Sequence, residues 1–272
     1  MKIFAIRDDN DKKGKNLGYL LYYETEKRFY IELPDNADPW ETPLLLSSFA
    51  ARGENTVNSY WSKLWVQQRI VPPDRQNIGQ ILRDNGLKIY DEYDLMMLSS
   101  GRCEQDDYYL VAIDEKLLPN DIVRRFKWKI EDVVPLKDFC LLVFFRDGIV
   151  KKCDVRKYME ESRHFSIIIN HQEYFNDVRV QTGGYGVQWD DNQSIPDSVL
   201  YQMGKRVPLT VEDFRMLAAE RIINAAEAAG ILGCSRQYVN ELVKSEKLHP
   251  IKATEKNTLF MKNEVMQRKW NT

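Results

Sequence analysis

Little in this chain of 272 residues invites covalent chemistry. Four cysteines are present, Cys103, Cys140, Cys153 and Cys234, and no two stand in the C-x-x-C spacing of a zinc site. Cys140 and Cys153 lie in apolar, strand-like runs and are expected to be buried thiols. Histidine is scarcer: His164, His171 and His249 are the full set. His164 and His171 are seven residues apart, but their surroundings read as a loop and an extended run, so no metal site is expected. No apolar run is long enough to span a bilayer. Residues 1–9 read as a strand running into an acidic turn, not a secretory signal, and the expected residence is cytoplasmic.

Phosphate loops and acid–base pairs are missing in the same way. A phosphate loop needs a strand, then glycines, then a helix N-terminus. Gly183, Gly184 and Gly186 precede a strand, and no G-K-[ST] occurs, so a hairpin turn accounts for them. The acidic pairs Asp8-Asp9, Asp106-Asp107 and Asp190-Asp191 read as solvated turns or loop ends, with no His, nucleophile or ligand set at usable spacing. The expectation is a protein that is not an enzyme and carries no cofactor.

What is present is a charge asymmetry. Residues 221–272 hold nine Lys or Arg against five Asp or Glu, a net of +4 in a chain of net −2, which leaves −6 to residues 1–220. The length suits two or three small domains. Within the basic end, Asn224 followed by Glu227 makes a capping box. Ala225, Ala226, Ala228 and Ala229 follow, small enough to let a second helix approach closely. Gly233 supplies a sharp turn. Ser235 caps a second helix over 236–245, with Tyr238, Val239, Leu242 and Val243 inward by helical spacing and Arg236, Gln237, Asn240 and Lys244 outward. Those outward residue types reach phosphates and base edges in a major groove. Leu248, Pro250 and Ile251 read as extended, 252–257 as a turn, 259–261 as a returning strand and 262–270 as a final helix. A helix pair followed by a small hairpin predicts a winged arrangement, with Lys252 and Lys256 beside a phosphate backbone. The candidate DNA-binding set is Ser235, Arg236, Gln237, Tyr238, Asn240, Lys244, Lys247, Lys252 and Lys256. A helical hairpin used for protein contacts is the alternative reading.

The run Ala226-Glu227-Ala228-Ala229, then 232–239, Leu242-Val243-Lys244 and Lys247-Leu248 resembles the winged helix-turn-helix of the excisionase and MerR-type families. It departs from them at Ser245 and Glu246, where a glycine is usual, and in a wing that carries Glu255 and only lysines.

Upstream, the spacing predicts strands at 130–136, 139–145 and 149–155, with a hairpin at Asp147-Gly148. It predicts short helices over 155–161 and 174–176, and strand-like runs at 167–170, 178–181 and 185–189. A last helix opens at Ser194-Ile195-Pro196-Asp197, with Pro in its first turn. Val133-Val134-Pro135-Leu136, the run 141–145, Asp147-Gly148, Val178-Arg179-Val180 and the Gly183–Trp189 element (GGYGVQW) resemble a bacterial domain-of-unknown-function family, number 2442, over about 129–204. That resemblance implies an adaptor or antitoxin-like role beside a toxin-like partner.

The first 128 residues read as paired strands at 17–23 and 28–33, helices over 56–69, 75–85 and 92–99, and a closing strand at 107–113. Tyr60, Trp61, Leu64 and Trp65 fall on one side of the first helix, where core packing accounts for them and an exposed partner surface is the alternative. Leu17-Gly18-Tyr19-Leu20, the run 43–47, Arg69-Ile70-Val71-Pro72-Pro73 and 95–101 are loosely similar to the N-terminal domain of HipA-type toxins, without room for their kinase part. That implies a non-catalytic interaction role.

The expected fold class is α+β. Two small mixed domains, 1–128 and 129–204, precede a helical linker at 205–220 and a C-terminal winged helix-turn-helix at 221–272. The expected function is a DNA-binding transcriptional regulator, antitoxin-like and autoregulatory by resemblance. Its partners would be double-stranded DNA, a toxin-like protein held through residues 1–204, and a second copy of itself, with no membrane. The alternative is a non-enzymatic adaptor.

Overall fold

The computed structural model describes residues 1–190, 192–254 and 257–270. The chain is mixed α+β, with several small antiparallel sheets, and divides into two compact units. One comprises Met1–Asp147 and Cys153–Gly204, the other Gly148–Lys152 and Lys205–Thr272. The position 128/129, where composition shifts, lies inside the first unit. Among the described residues no helix is long and apolar enough to cross a membrane.

The first unit opens on strands β1 (Lys2–Asp8), β2 (Gly18–Tyr23) and β3 (Arg28–Glu32). Helix α1 (Leu44–Ala51), strand β4 (Thr56–Val57) and helices α2 (Ser59–Gln67), α3 (Ile78–Asp84) and α4 (Glu92–Leu98) follow, then β5 (Tyr108–Ala112) and α5 (Asn120–Lys127). The strands form one antiparallel sheet in the order β4-β3-β2-β1-β5. Its strands are apolar on both faces because both are covered. Phe4, Ile6, Leu20 and Ile31 pack with Leu46, Phe49, Trp65, Val66 and Met96, while Ile3, Ala5 and Tyr19 pack with Leu118 and Ile122. The expected one-sided aromatic face of α2 is split. Trp65 is buried, Trp61 lies at the margin and Tyr60 is 70% exposed.

The middle of the chain contributes β6 (Ile130–Pro135), β7 (Cys140–Phe145), β8 (Val150–Asp154), α6 (Arg156–Glu160) and α7 (Gln172–Phe175). Strands β9 (Arg179–Val180), β10 (Gly186–Gln188) and β11 (Ser194–Pro196) and helix α8 (Asp197–Met203) complete it. β6 pairs with β7, and a second sheet has the order β11-β10-β9. The core gathers Leu141, Val143, Phe145, Cys153, Met159, Phe165, Phe175, Val187, Trp189 and Leu200. The Trp189 indole donates to the Phe175 carbonyl at 2.9 Å. Residues 168–170, expected as strand, form a 3-10 turn. Ile168 is buried while Ile167 is exposed, so one inward side chain every few residues satisfies the packing without a ladder. Cys153 is buried as expected, whereas Cys140 is only partly buried. Asp190 accepts from the Asn192 and Gln193 amides, the turn role expected of it, and Asp191 lies outside the described residues.

Within this unit the two cores meet across a buried polar seam. Lys129 Nζ lies 3.0 Å from Asp197 and 3.4 Å from Glu32, and 3.7 Å from the centre of the Tyr185 ring. Glu32 also takes Arg125 Nε at 3.0 Å. Tyr185 stacks on Tyr30 with centroids 3.8 Å apart. Burial pushes the Asp197 carboxyl above its ordinary range, although Lys129 pulls it down. Burial, reinforced by the Glu32 charge, pushes the Tyr185 phenol far up. The glycine pair makes the approach: Gly184 has φ +81°, and a Cβ there would stand 2.4 Å from the Ile130 carbonyl oxygen.

The second unit holds β12 (Lys205–Arg206), α9 (Val211–Arg221), β13 (Ile222–Asn224), α10 (Ala225–Leu232), α11 (Arg236–Lys244), β14 (Lys252–Ala253), β15 (Thr258–Met261) and α12 (Lys262–Trp270). The sheet order is β13-β15-β14. Strand β13 carries no turn signal of its own. It exists because Ile222, Ile223 and Asn224 pair with Met261, Phe260 and Leu259. The core is Ile223, Ala228, Ala229, Val239, Leu242, Leu248, Phe260 and Val265.

Candidate nucleic-acid interface

Helix α10 starts on a complete capping box. Asn224 Oδ1 accepts from the Ala226 and Glu227 amides at 2.8 and 3.1 Å, and Glu227 Oε2 accepts from the Asn224 amide at 2.8 Å. The helix stops at Gly233, whose φ of 67° lets the Cys234 amide reach back to the Ala229 carbonyl at 3.0 Å. Ser235 Oγ then accepts from the Tyr238 amide at 3.2 Å and starts α11. Two well-defined ends, Gly233 and Ser235 with only Cys234 between them, fix how α11 leaves α10.

Val239 and Leu242 bury the inner face of α11, with Val243 partly buried. Arg236, Gln237, Asn240 and Lys244 are exposed. They fall at i, i+1, i+4 and i+8, one exposed strip alongside the core face. Tyr238, expected inward, is 46% exposed. At that turn the inward position belongs to Val239, which shares a buried cluster with Ala228 and Ala229. Glu241 is also exposed and is the one acid on this helix.

Helix α11 ends at Lys244, with Ser245 as its cap and Glu246 beyond it. Glu246 takes φ 56°, the left-handed position usually given to glycine. The Lys247 amide donates to Leu242 O at 2.8 Å and the Glu246 amide to Val243 O at 3.1 Å. Lys247 is exposed, and its carbonyl accepts from Arg268 at 3.2 Å. Lys252 is exposed on β14, opposite Leu259 of β15. The turn between these strands is closed by Thr254 and Asn257, with Thr254 N to Asn257 O at 2.8 Å. Lys256, and Glu255 beside it, lie outside the described residues.

Four cations escaped the sequence reading because two are remote from this segment. β12 pairs with β8 so that Lys205 faces Lys152 and Arg206 faces Lys151. Like charges placed directly across a ladder repel. Linear sequence carries no signal for that pairing across 53 residues beyond two Lys/Arg doublets. With them, the second unit holds fourteen Lys or Arg and eight Asp or Glu, a net of +6. The first unit is left with −8 of the chain's −2.

The remaining candidates sort differently. Asp106, expected in a solvated turn, receives both guanidinium nitrogens of buried Arg69 at 2.8 and 2.6 Å. Trp65 lies beneath that guanidinium at 4.0 Å. Asp9 pairs with Arg102, and Asp107 accepts from Asn10. Among the described residues no group of three or more His, Cys, Asp or Glu is placed to hold a metal ion. In the first unit Trp40, Leu44 and Tyr60 are strongly exposed.

No curated protein and no solved structure matches the chain. Residues 130–205, the β6 to β12 segment with its GGYGVQW turn, match the profile of a family described as a protein of unknown function, DUF2442.

Proposed function

We propose that the protein is a DNA-binding regulator. It would read operator DNA with α11 and hold a protein partner through its first unit. α10, α11 and the β13-β15-β14 sheet would act as a winged helix-turn-helix. The observation that carries this reading is the outward strip of α11. Arg236, Gln237, Asn240 and Lys244 stand together on one exposed strip of a helix whose start is fixed by Ser235. Arg and Lys neutralise phosphates, and Gln and Asn can pair with adenine edges. The net charge of +6 supplies the non-specific attraction. Lys247, Lys252 and the β8–β12 cations are further candidates for phosphate contact. Glu241 opposes phosphate and keeps the affinity of one copy modest. The exposed Trp40, Leu44 and Tyr60 suit a protein partner, and by resemblance the pairing is of the toxin–antitoxin kind, with the protein repressing its own operon.

A salt series of fluorescence anisotropy on duplex DNA from upstream of its own gene tests this. Each phosphate contact contributes about −0.9 to the slope of log K against log salt. The wild type should therefore give a slope of about −3 to −5, and Arg236→Ala with Lys244→Ala should reduce it by about 2. A flat salt response, unchanged by the double substitution, sinks the DNA reading and leaves a protein-binding adaptor.

A further inference from the structure

We propose that Glu241 sets a base preference of α11 by accepting a hydrogen bond from the amino group of a cytosine in the major groove. The inference rests on the reading of α11 as a DNA-recognition helix. Val239 and Leu242 are the buried residues of α11 and fix its inward direction. At about 100° per residue, Gln237 and Lys244 point most directly away from that direction, and Asn240 and Glu241 flank them, one on each side. All four side chains are exposed. Arg236 borders this face beyond Asn240, and Tyr238 borders it beyond Glu241. Glu241 therefore stands within the surface that would meet base edges.

The local surroundings disfavour an acid at this position. Residue 241 lies in the last turn of the helix, beside the negative end of its dipole. Lys244 stands three residues on, a spacing at which helix side chains pair. Yet among the described residues the Glu241 carboxylate makes no ion pair or hydrogen bond. Only its backbone carbonyl is engaged, by the Ser245 hydroxyl at 2.8 Å. A phosphate would repel it as well. A residue that breaks several local rules at once marks a place to look for function.

The donor pattern of the base edges selects the base. A carboxylate offers acceptors and no donor. Adenine shows its N6 amino group beside the N7 acceptor, which suits Gln237 and Asn240, whose amides carry a donor and an acceptor together. Guanine and thymine show only acceptors to a carboxylate in this groove. Cytosine shows its N4 amino group with no acceptor of its own beside it. Glu241 thus matches cytosine and is opposed by the acceptors of the other three bases. It would raise discrimination while lowering affinity.

Selection from a randomised duplex library, with the full chain at low salt, tests this. The wild type should enrich a motif in which one position prefers C·G by about 5- to 150-fold. Glu241→Ala should lose that preference, keep the rest of the motif and bind the library as a whole more tightly. Glu241→Gln, an isosteric change on an exposed side chain, should move the preference at that position to A·T. A motif unchanged in both variants, with affinity raised alike for every duplex, leaves Glu241 as a repeller of phosphate and overturns this inference alone. Binding by the wild type without any enriched motif does the same. A wild type that binds no duplex even at low salt overturns the DNA reading and this inference with it.

Discussion

Arg69 and Asp106 show how a single residue's surroundings change its meaning. In sequence Asp106 is one of two adjacent acids before a strand. In the fold its carboxylate accepts a bidentate pair from a guanidinium with a 3% exposed side chain. Partial burial works against the charged carboxylate, but the Arg69 fork outweighs it and holds the Asp106 pKa below its ordinary range. The sign of the linkage follows. Folding favours the deprotonated form, so the contribution is fully present above the ordinary carboxylate pKa and is lost as pH falls through the lower folded value. Asp106→Asn should cost about 2 kcal/mol near neutrality, reduced from a fully buried pair by the exposure of Asp106. The gap between wild type and variant should close as pH drops below about 4. Urea denaturation across that range measures it. A gap that stays constant into acid would mean the pair contributes nothing through charge.

At the scale of elements, α10 and α11 end on the same backbone device with different residues. Both use a left-handed residue so that a later amide can reach a carbonyl of the last turn. Gly233 adopts that conformation without strain, and Glu246 does not. Glu246→Gly should therefore stabilise the protein by about 1 kcal/mol, and Gly233→Ala should destabilise it by a similar amount. Thermal melts of the two variants should move in opposite directions. If both fall, the Glu246 side chain has a role the backbone does not explain. The same helices show what was legible beforehand. The capping box, Gly233 and Ser235 are local, since each feature lies within three residues of its partner, and they placed both helices closely. Strand β13, the exposure of Tyr238 and the 3-10 turn at 168–170 depend on what packs from elsewhere; local pattern gave no sign of the first and misread the other two.

The whole molecule is organised by two long-range facts. One is the buried seam at Lys129, where a single ammonium serves Asp197 and Glu32, each about seventy or more residues away in sequence. Removing one member of such a group leaves the others buried and uncompensated. Lys129→Met should cost about 3–5 kcal/mol in equilibrium denaturation, and adding Glu32→Gln and Asp197→Asn should recover most of it. A loss under about 1 kcal/mol would show that the seam does not hold the first sheet to the middle region. The other fact is charge. The sequence split of +4 against −6 becomes +6 against −8 once residues 148–152 and 205–220, with their five cations and three acids, are grouped by contact with the C-terminal end.

By itself, the sequence determined the mixed α+β class, most helix and strand positions, the similarity of 130–205 to a family of unknown function and the basic character of the C-terminal end. Periodicity, caps and turn residues act over a few residues, and each is written where it acts. Tertiary structure decided the rest. It set the burial of Lys129 and Glu32, the rescue of Asp106 by Arg69 and the like-charge ladder of β8 and β12. Those outcomes depend on pairs of residues far apart in the chain, and burial and Coulomb energy are set by distance in space.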